Sequence, residues 1–298
     1  MTTLTTTRVW AAATRPATLW AAVAPVAVGT ACAAVAGGAR PLVALLCLAG
    51  ALLLQITANL VNDASDFERG ADTGARLGPR RAVQAGWLTA GEVRRGAAIA
   101  LALAAACGVG LAVIAGWVII PLWIAAITAA VLYTAGPRPL GYLGLGDVLV
   151  FLFFGFAGVV GTTFAQTGSA PMVAWIAALP VGALATAVLA VNNLRDRATD
   201  ATAGKRTLAV RLGERAVRAE YRALVAVAAV TPVALAVVQR SAWLLLPLLA
   251  SPLAADPLRR MRRSDGAALN PALGATARLL LVFGVLFALG LALGVPAV

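Results

Sequence analysis

Two stretches of the chain place oxygen-bearing side chains at helical spacing. The first reads NLVNDASDFERGAD, from Asn59 to Asp72. Asn59, Asn62 and Asp66 stand at i, i+3 and i+7, one face of a helix, with Asp63 on its flank. Gly70 suits a helix terminus and would let Asp72 fold back toward the others. The second reads NNLRDRATDATAGKRT, from Asn192 to Thr207, and its Asn192, Asp196 and Asp200 recur at i, i+4 and i+8. Each cluster ends a long apolar run. A carboxylate there is expensive, at roughly 2.5–3.5 kcal/mol for an Asp at mid-bilayer and less toward the interface. Two clusters facing each other would also repel, so a cation must offset them. Hard oxygen donors without His or thiolate partners select Mg²⁺ or a similar ion. Mg²⁺ keeps several waters and binds through a few carboxylates plus substrate phosphates. Two acidic clusters therefore point to ions bridging a diphosphate.

The elements that position these clusters follow from composition. Of 298 residues, 61% are hydrophobic and 12% charged. Soluble domains are about 45–50% apolar and about 25% charged. The bilayer must therefore be the solvent for most of the chain. The absence of His excludes His-dependent triads, His metal ligands and a His base. Cys32, Cys47 and Cys107 lie singly in apolar runs, without metal-like spacing. At about 20 residues per span, nine spans are expected, roughly at 17–36, 41–62, 93–114, 117–135, 147–167, 171–194, 220–238, 241–257 and 274–295. The eighth is short and carries Pro247 and Pro252. The first follows Arg15-Pro16 and is too long for the core of a cleavable signal.

Nine spans put every Lys and Arg except Arg40 and Arg240 on one side, which the positive-inside rule makes cytoplasmic together with the N-terminus. All the acids lie on that side too, although acids do not set topology. The net charge of +12 then reflects orientation and anionic lipid headgroups rather than nucleic acid. The cluster Arg259, Arg260, Arg262 and Arg263 reads as a headgroup contact, and Arg76, Arg80, Arg195 and Arg206 as sidedness charges first. Lys205 is the only lysine, an arginine bias that points to a bacterium and its cell membrane. The stretch GYLGLGD, Gly141 to Asp147, lacks dinucleotide-binding spacing and reads as a tight turn entering the fifth span.

At these residues the chain resembles the UbiA superfamily of intramembrane aromatic prenyltransferases. The family has an Asn- and Asp-rich motif after its second helix and an Asp-x-x-x-Asp motif after its sixth. The resemblance extends through RPATLWAAVAPVAVGTA from Arg15, NLVNDASDFERGADT from Asn59 and LGPRRAVQAG from Leu77. It continues in YTAGPRPLGYLGLGDVLVFLFFG from Tyr133, GTTFAQTG from Gly161 and NNLRDRATDATAGKRTLAVRLG from Asn192. These stretches are most similar to the branch that acts on 1,4-dihydroxy-2-naphthoate in menaquinone synthesis. The family pattern NDxxDxxxD is altered here: Gly70 stands four residues after Asp66, and the third carboxylate arrives at Asp72.

The resemblance implies one all-helical transmembrane domain over 1–298, bundled around a central lipid-accessible cavity. It implies transfer of a polyprenyl group from a polyprenyl diphosphate to the naphthoate, with loss of CO₂. Asn62, Asp66, Asp72, Asp196 and Asp200 are then the expected Mg²⁺ ligands, with the four aspartates catalytic. Arg81, Arg138 and Lys205 are expected to clamp phosphate, since Arg suits bidentate oxygen recognition and Lys acts as a point charge. Asn192 and Tyr133 are candidate substrate contacts, though an aromatic near a span end is also a common interface anchor. Without His, the ring hydroxyl proton must go to an Asp, to diphosphate or to solvent, and among the acids Asp63 and Asp147 are unassigned candidates. Rival readings are another branch with a different aromatic acceptor, a CDP-alcohol phosphotransferase and a transporter. The phosphotransferase needs its acids in one compact stretch, and transporters place ionisable groups near the bilayer midplane. Neither pattern is present.

Overall fold

The computed structural model describes residues 5–296 apart from 73 and 75, so Thr73, which closes the first acidic stretch, lies outside the described residues. Among the described residues the chain is helical and contains no strand. A short α1 (Thr6–Ala13) precedes α2 (Pro16–Val35), which Arg15 caps in the left-handed region at φ 52°. Next come α3 (Pro41–Glu68), α4 (Ala90–Ala115) and α5 (Ile119–Leu132). The fifth crossing is composite: α6 (Gly146–Val150), a π-helical stretch over Phe151–Val160, then α7 (Gly161–Thr167). After α8 (Met172–Arg195) two short helices follow, α9 (Arg197–Thr202) and α10 (Leu208–Leu212). The chain closes with α11 (Glu214–Gln239), a 3₁₀ stretch over Ala242–Ala254, α12 (Ala255–Arg263) and α13 (Asn270–Gly294).

Among the described residues seven helices are long and apolar enough to cross a membrane, and all nine apolar runs expected from sequence are helical. The other two differ from regular spans for local reasons. The fourth forms a helix of 14 residues. In the eighth, Pro247 and Pro252 each lack an N–H donor, and the run winds as a 3₁₀ helix. Burial ranks the helices: 61% of the apolar window of α8 is buried, against 22% in α3 and 28% in α4. α8 is therefore the central post, and α3 and α4 turn large faces to lipid. Val113, Trp117 and Leu249 are among the exposed apolar side chains that only a bilayer would solvate.

Small residues permit close approach at the post. A Cβ on Gly155 would lie 2.9 Å from the Ala178 carbonyl oxygen and 3.0 Å from Gly182 Cα. Around that crossing Val28 of α2, Val181 and Leu184 of α8, and Leu280 and Phe287 of α13 form the main apolar core. α3 does the other positioning. Its 28 residues, at about 1.5 Å each, make a rod of about 42 Å, longer than the roughly 30 Å hydrocarbon layer. The surplus turns carry Asn62, Asp63 and Asp66 out of the lipid while keeping them in rigid helix.

Candidate active site

The two acidic clusters meet. Lys205, in the loop after α9, places its Nζ 3.0 Å from Asp66 Oδ2 and 3.8 Å from Asp200 Oδ1. One ammonium thus bridges carboxylates 134 positions apart in sequence. Asp66 is fully buried and takes two further donors: Arg81 Nη1 at 2.9 Å and the Tyr142 hydroxyl at 2.8 Å. Arg81 Nη1 also donates to Asp72 and, at 3.1 Å, to the Asn62 carbonyl oxygen. Asp72 takes a second cation, Arg76, at 2.5 Å. Asp196 sits at the junction of α8 and α9, where Arg195 grips it through Nε at 2.8 Å and Nη2 at 2.6 Å. The same Nη2 donates to Asn192 Oδ1 at 2.7 Å.

Local folding explains the placement. Asp63, expected on the flank, is buried, and it accepts the N–H groups of Ala82 at 2.9 Å and Val83 at 3.4 Å. It therefore fixes the turn that aims Arg81 at Asp66. Asn59 faces away from the acids and anchors the start of α2, donating to the Thr14 carbonyl and to Thr18 Oγ1, each at 2.9 Å. The turn after α5 behaves as GYLGLGD predicts: Leu140–Leu143 form a 3₁₀ turn and Gly144 has φ 80°. Only glycine suits that position, because a Cβ there would stand 2.5 Å from the Arg206 carbonyl oxygen. The Arg206 N–H donates to the Tyr142 carbonyl at 2.9 Å, so the loops carrying Tyr142 and Lys205 fold as one.

Charge at the site is finely balanced. Burial pushes Arg81 down, but Asp66 and Asp72 outweigh it and hold the guanidinium above its ordinary value. Arg15, buried and facing Arg81 and Arg76, falls to about 9; its Nη2 donates to Asn62 Oδ1 at 3.0 Å. Burial raises Asp200 to about 6, with Lys205 opposing and Asp196 and Asp66 reinforcing the rise. Tyr142 is held above its range by burial and by Asp66, while Lys205 Nζ stands 4.9 Å from its ring centre.

Of the residues expected from sequence, Asp66, Asp72, Arg81, Asp200 and Lys205 form one contiguous network, and Asp196 with Asn192 flanks it through Arg195. Asn62 is the third residue of the first motif to touch that network, through its backbone carbonyl. Tyr133 packs over the turn, its hydroxyl 2.7 Å from where a Cβ on Gly146 would stand. Arg138 is exposed and makes no ion pair or hydrogen bond among the described residues, so its guanidinium is not part of the clamp in this conformation. Sequence reasoning missed Tyr142 and Arg15, and treated Arg76 and Arg195 as sidedness charges. Both arginines are instead on motif carboxylates, and Arg195 is buried. The signal that could have found Arg195 is its place beside Asp196 at the end of an apolar run; Tyr142 carried none.

Among the described residues no three acidic side chains converge on a point that a metal could fill. The donor set still suits Mg²⁺. Two buried carboxylates from different helices, α3 and α9, already share one cation, every donor is a hard oxygen, and Mg²⁺ completes its octahedron with water and substrate phosphate.

Residues 22–282 match the model of the UbiA prenyltransferase family. The chain is 40% identical over 296 residues to a 1,4-dihydroxy-2-naphthoate octaprenyltransferase of Escherichia coli (strain K12), with 96% of this chain and 95% of the relative covered. It is 41% identical over 288 residues to the protein of the same name in Mycobacterium tuberculosis, with 96% and 97% covered. The fold is similar to that of a UbiA homolog from Archaeoglobus fulgidus bound to DMAPP and Mg²⁺, at TM-score 0.62 and 16% identity, covering 93% of this chain and 98% of that one.

Proposed function

The chain belongs to the UbiA prenyltransferase family, and from that premise and the geometry of the site we propose that it transfers a polyprenyl group from polyprenyl diphosphate to 1,4-dihydroxy-2-naphthoate, releasing CO₂ and diphosphate. The observation that carries this reading is the pairing of Asp66 and Asp200 through Lys205, with Arg81 alongside. A site built for a polyanion needs cations to meet it, and carboxylates to hold those cations in place until it arrives. The relatives in E. coli and M. tuberculosis, named for the naphthoate, support the acceptor, and the A. fulgidus homolog bound to DMAPP and Mg²⁺ supports the donor and the ion.

In this reading Asp66 and Asp200 are the principal Mg²⁺ ligands, with Asn62, Asp72 and Asp196 completing the set through small rearrangements. Held there, Mg²⁺ would supply positive charge against the charge developing on the leaving diphosphate. Arg81, Lys205 and Arg76 transfer hydrogen bonds from carboxylate to phosphate oxygens, Arg15 transfers one from the Asn62 amide oxygen, and the charge-assisted bonds strengthen as the bond to carbon lengthens. Tyr142 keeps the Asp66 carboxylate in register, and Arg195 does the same for Asp196. The C–O bond of the diphosphate breaks toward an allylic cation, the ring attacks through its carboxyl-bearing carbon, and loss of CO₂ restores aromaticity. A groove of about 510 Å³ between α3, α4 and α5 gives the isoprenoid tail an apolar wall beside the site. Its polar rim includes Arg69, which lies 5.6 Å over the Tyr142 ring. The charged end of the bundle is cytoplasmic and the membrane is that of a bacterial cell.

The test is product formation by purified protein in liposomes given polyprenyl diphosphate, the dihydroxynaphthoate and Mg²⁺. Demethylmenaquinol should appear and should vanish with EDTA, Asp66→Ala or Asp196→Ala. Mg²⁺-dependent product with only a different aromatic acceptor would overturn the substrate assignment.

A further inference from the structure

Nearly every buried carboxylate at the charged end has a cation or another residue's N–H on it, and one in the fifth crossing has only its own backbone N–H. Asp63 holds two backbone N–H groups, Asp66 holds three donors, and Asp72, Asp196 and Asp200 stand beside Arg or Lys. Asp147, in the first turn of α6, is 6% exposed, and its Oδ1 has no hydrogen-bond partner. Buried polar atoms are rarely left so, and such an atom in a native site asks for a ligand. The groups facing it carry no positive charge. Tyr133 presses its hydroxyl against Gly146, the residue before Asp147. From α8, Leu189 packs against Gly146 and Thr186 lies near the Asp147 carbonyl; neither is ionisable. From α11 comes Glu220, within electrostatic reach and with its own Oε2 unpartnered. Tyr133 in turn feels the charges of Asp147, Asp200 and Asp66, which places it between the unpartnered acid and the diphosphate network.

We propose that Asp147 is the proton shuttle for the acceptor: its free carboxylate oxygen receives the hydroxyl proton of the aromatic ring and later returns it. This rests on the naphthoate reading above. As the ring carbon bonds to the allylic carbon, the hydroxyl O–H breaks, its electron pair becomes a ring carbonyl, and the proton moves to Asp147 Oδ1. The C–CO₂⁻ bond then breaks, its pair restores the aromatic ring, and the carbonyl oxygen takes the proton back. No proton is consumed overall, so the base needs no outlet to water, which suits a carboxylate sealed from solvent. The alternatives are occupied. A carboxylate pinned by donors and cations is a poor proton acceptor, whereas an unpaired one is a good one. Tyr133 stacks the ring beside it and acts as a positioning residue.

The experiment uses the full chain in liposomes, comparing wild type, Asp147→Asn, Asp147→Glu and Glu220→Gln. Each is assayed across pH with dihydroxynaphthoate and with a ring-halogenated dihydroxynaphthoate whose hydroxyl is more acidic. Asp147→Asn should lower kcat by about 10²–10⁴-fold, leave KM for the prenyl diphosphate within about twofold and abolish the acid limb of the kcat profile. Its deficit should shrink on the halogenated acceptor, and Asp147→Glu should recover part of the rate. A kcat near wild type, or a deficit equal on both acceptors, would overturn the shuttle and leave Asp147 a packing residue. Wild-type turnover of the naphthoate checks the underlying reading separately. If only another phenol is turned over, that reading falls, and the Asp147 comparison is made on that phenol with the same two outcomes.

Discussion

Replacing Lys205 by Met tests whether its ammonium and a divalent cation compete for the same carboxylates. In the structure Nζ lies 3.0 Å from Asp66 and 3.8 Å from Asp200, and the lysine side chain is only 15% exposed. A cation that enters between those carboxylates must first displace it. A hydrogen bond to a charged group contributes about 1.5–3 kcal/mol. Asp66 keeps Arg81 and Tyr142 after the substitution, so about 2 kcal/mol is the reasonable share for Lys205. Removing that competitor should tighten Mg²⁺ binding in the absence of substrate by about 30-fold, since 1.4 kcal/mol is a factor of ten. The Met variant should unfold at a lower temperature than wild type in EDTA and regain most of the difference on adding Mg²⁺. Wild type should respond far less. With substrate present the sign reverses: the variant has lost a cation for the diphosphate, and kcat/KM should fall by about 100-fold. Titration calorimetry and thermal unfolding in detergent read the first effect, and steady-state kinetics the second. Equal Mg²⁺ affinity in the two proteins would refute the competition, even if activity fell.

Three other substitutions probe the network independently. Tyr142→Phe removes the 2.8 Å bond to Asp66 and should cost about 1 kcal/mol, a fivefold to tenfold loss in kcat/KM with little change in the unfolding temperature. Gly78→Ala would place a Cβ 2.8 Å from Arg195 Nη2, pushing the guanidinium off Asp196, and should raise the Mg²⁺ concentration needed for half-maximal rate. Asp200, raised to about 6 from 3.8, binds its proton more tightly in the folded protein. Its contribution to stability therefore falls as pH rises through that window. Asp200→Asn should accordingly raise the unfolding temperature of the metal-free protein at pH 7. Mg²⁺ binding near pH 6 should release a proton, seen as a buffer-dependent heat that disappears at pH 8.

The fold was legible wherever a long apolar run had to be helix, and less so where backbone chemistry intervened. Hydropathy alone gives the run from 41 to 62 in α3 and the 24 residues of α8, and the spacing of Asn59, Asn62 and Asp66 carries α3 on toward Glu68. The 3₁₀ winding of Ala242–Ala254 was foreshadowed by its two prolines, but the π-helical stretch at Phe151–Val160 was not, because its i→i+5 bonds leave no mark on composition. Periodicity put Asn59, Asn62 and Asp66 on one face, yet Asn59 turned to the start of α2 and Asp63 turned inward to a backbone turn. Both outcomes depend on partners in other segments, and a main-chain N–H has no sequence signature.

The arginines show a deeper asymmetry between what sequence discloses and what it hides. An acid at the end of a membrane helix is costly and has no role in orientation, so its presence alone announces a function. An Arg at the same end is explained already by the sidedness rule, and a functional one is indistinguishable from its neighbours. Arg195 looked like any other positive residue of that face, although it is 3% exposed and holds Asp196 through two bonds. Arg15 looked like the start of a span, although it adopts φ 52°, rare for a residue other than glycine, to reach Asn62. Those buried cations are what make the acidic clusters stable before any substrate arrives. Arg81 and Lys205 do the same for Asp66, which without them would be a buried, unpaired charge, a defect worth about 3–5 kcal/mol when a partner is removed. The cations that stabilise the resting site are therefore the same ones positioned to receive a diphosphate, so folding and substrate recognition draw on a single set of side chains.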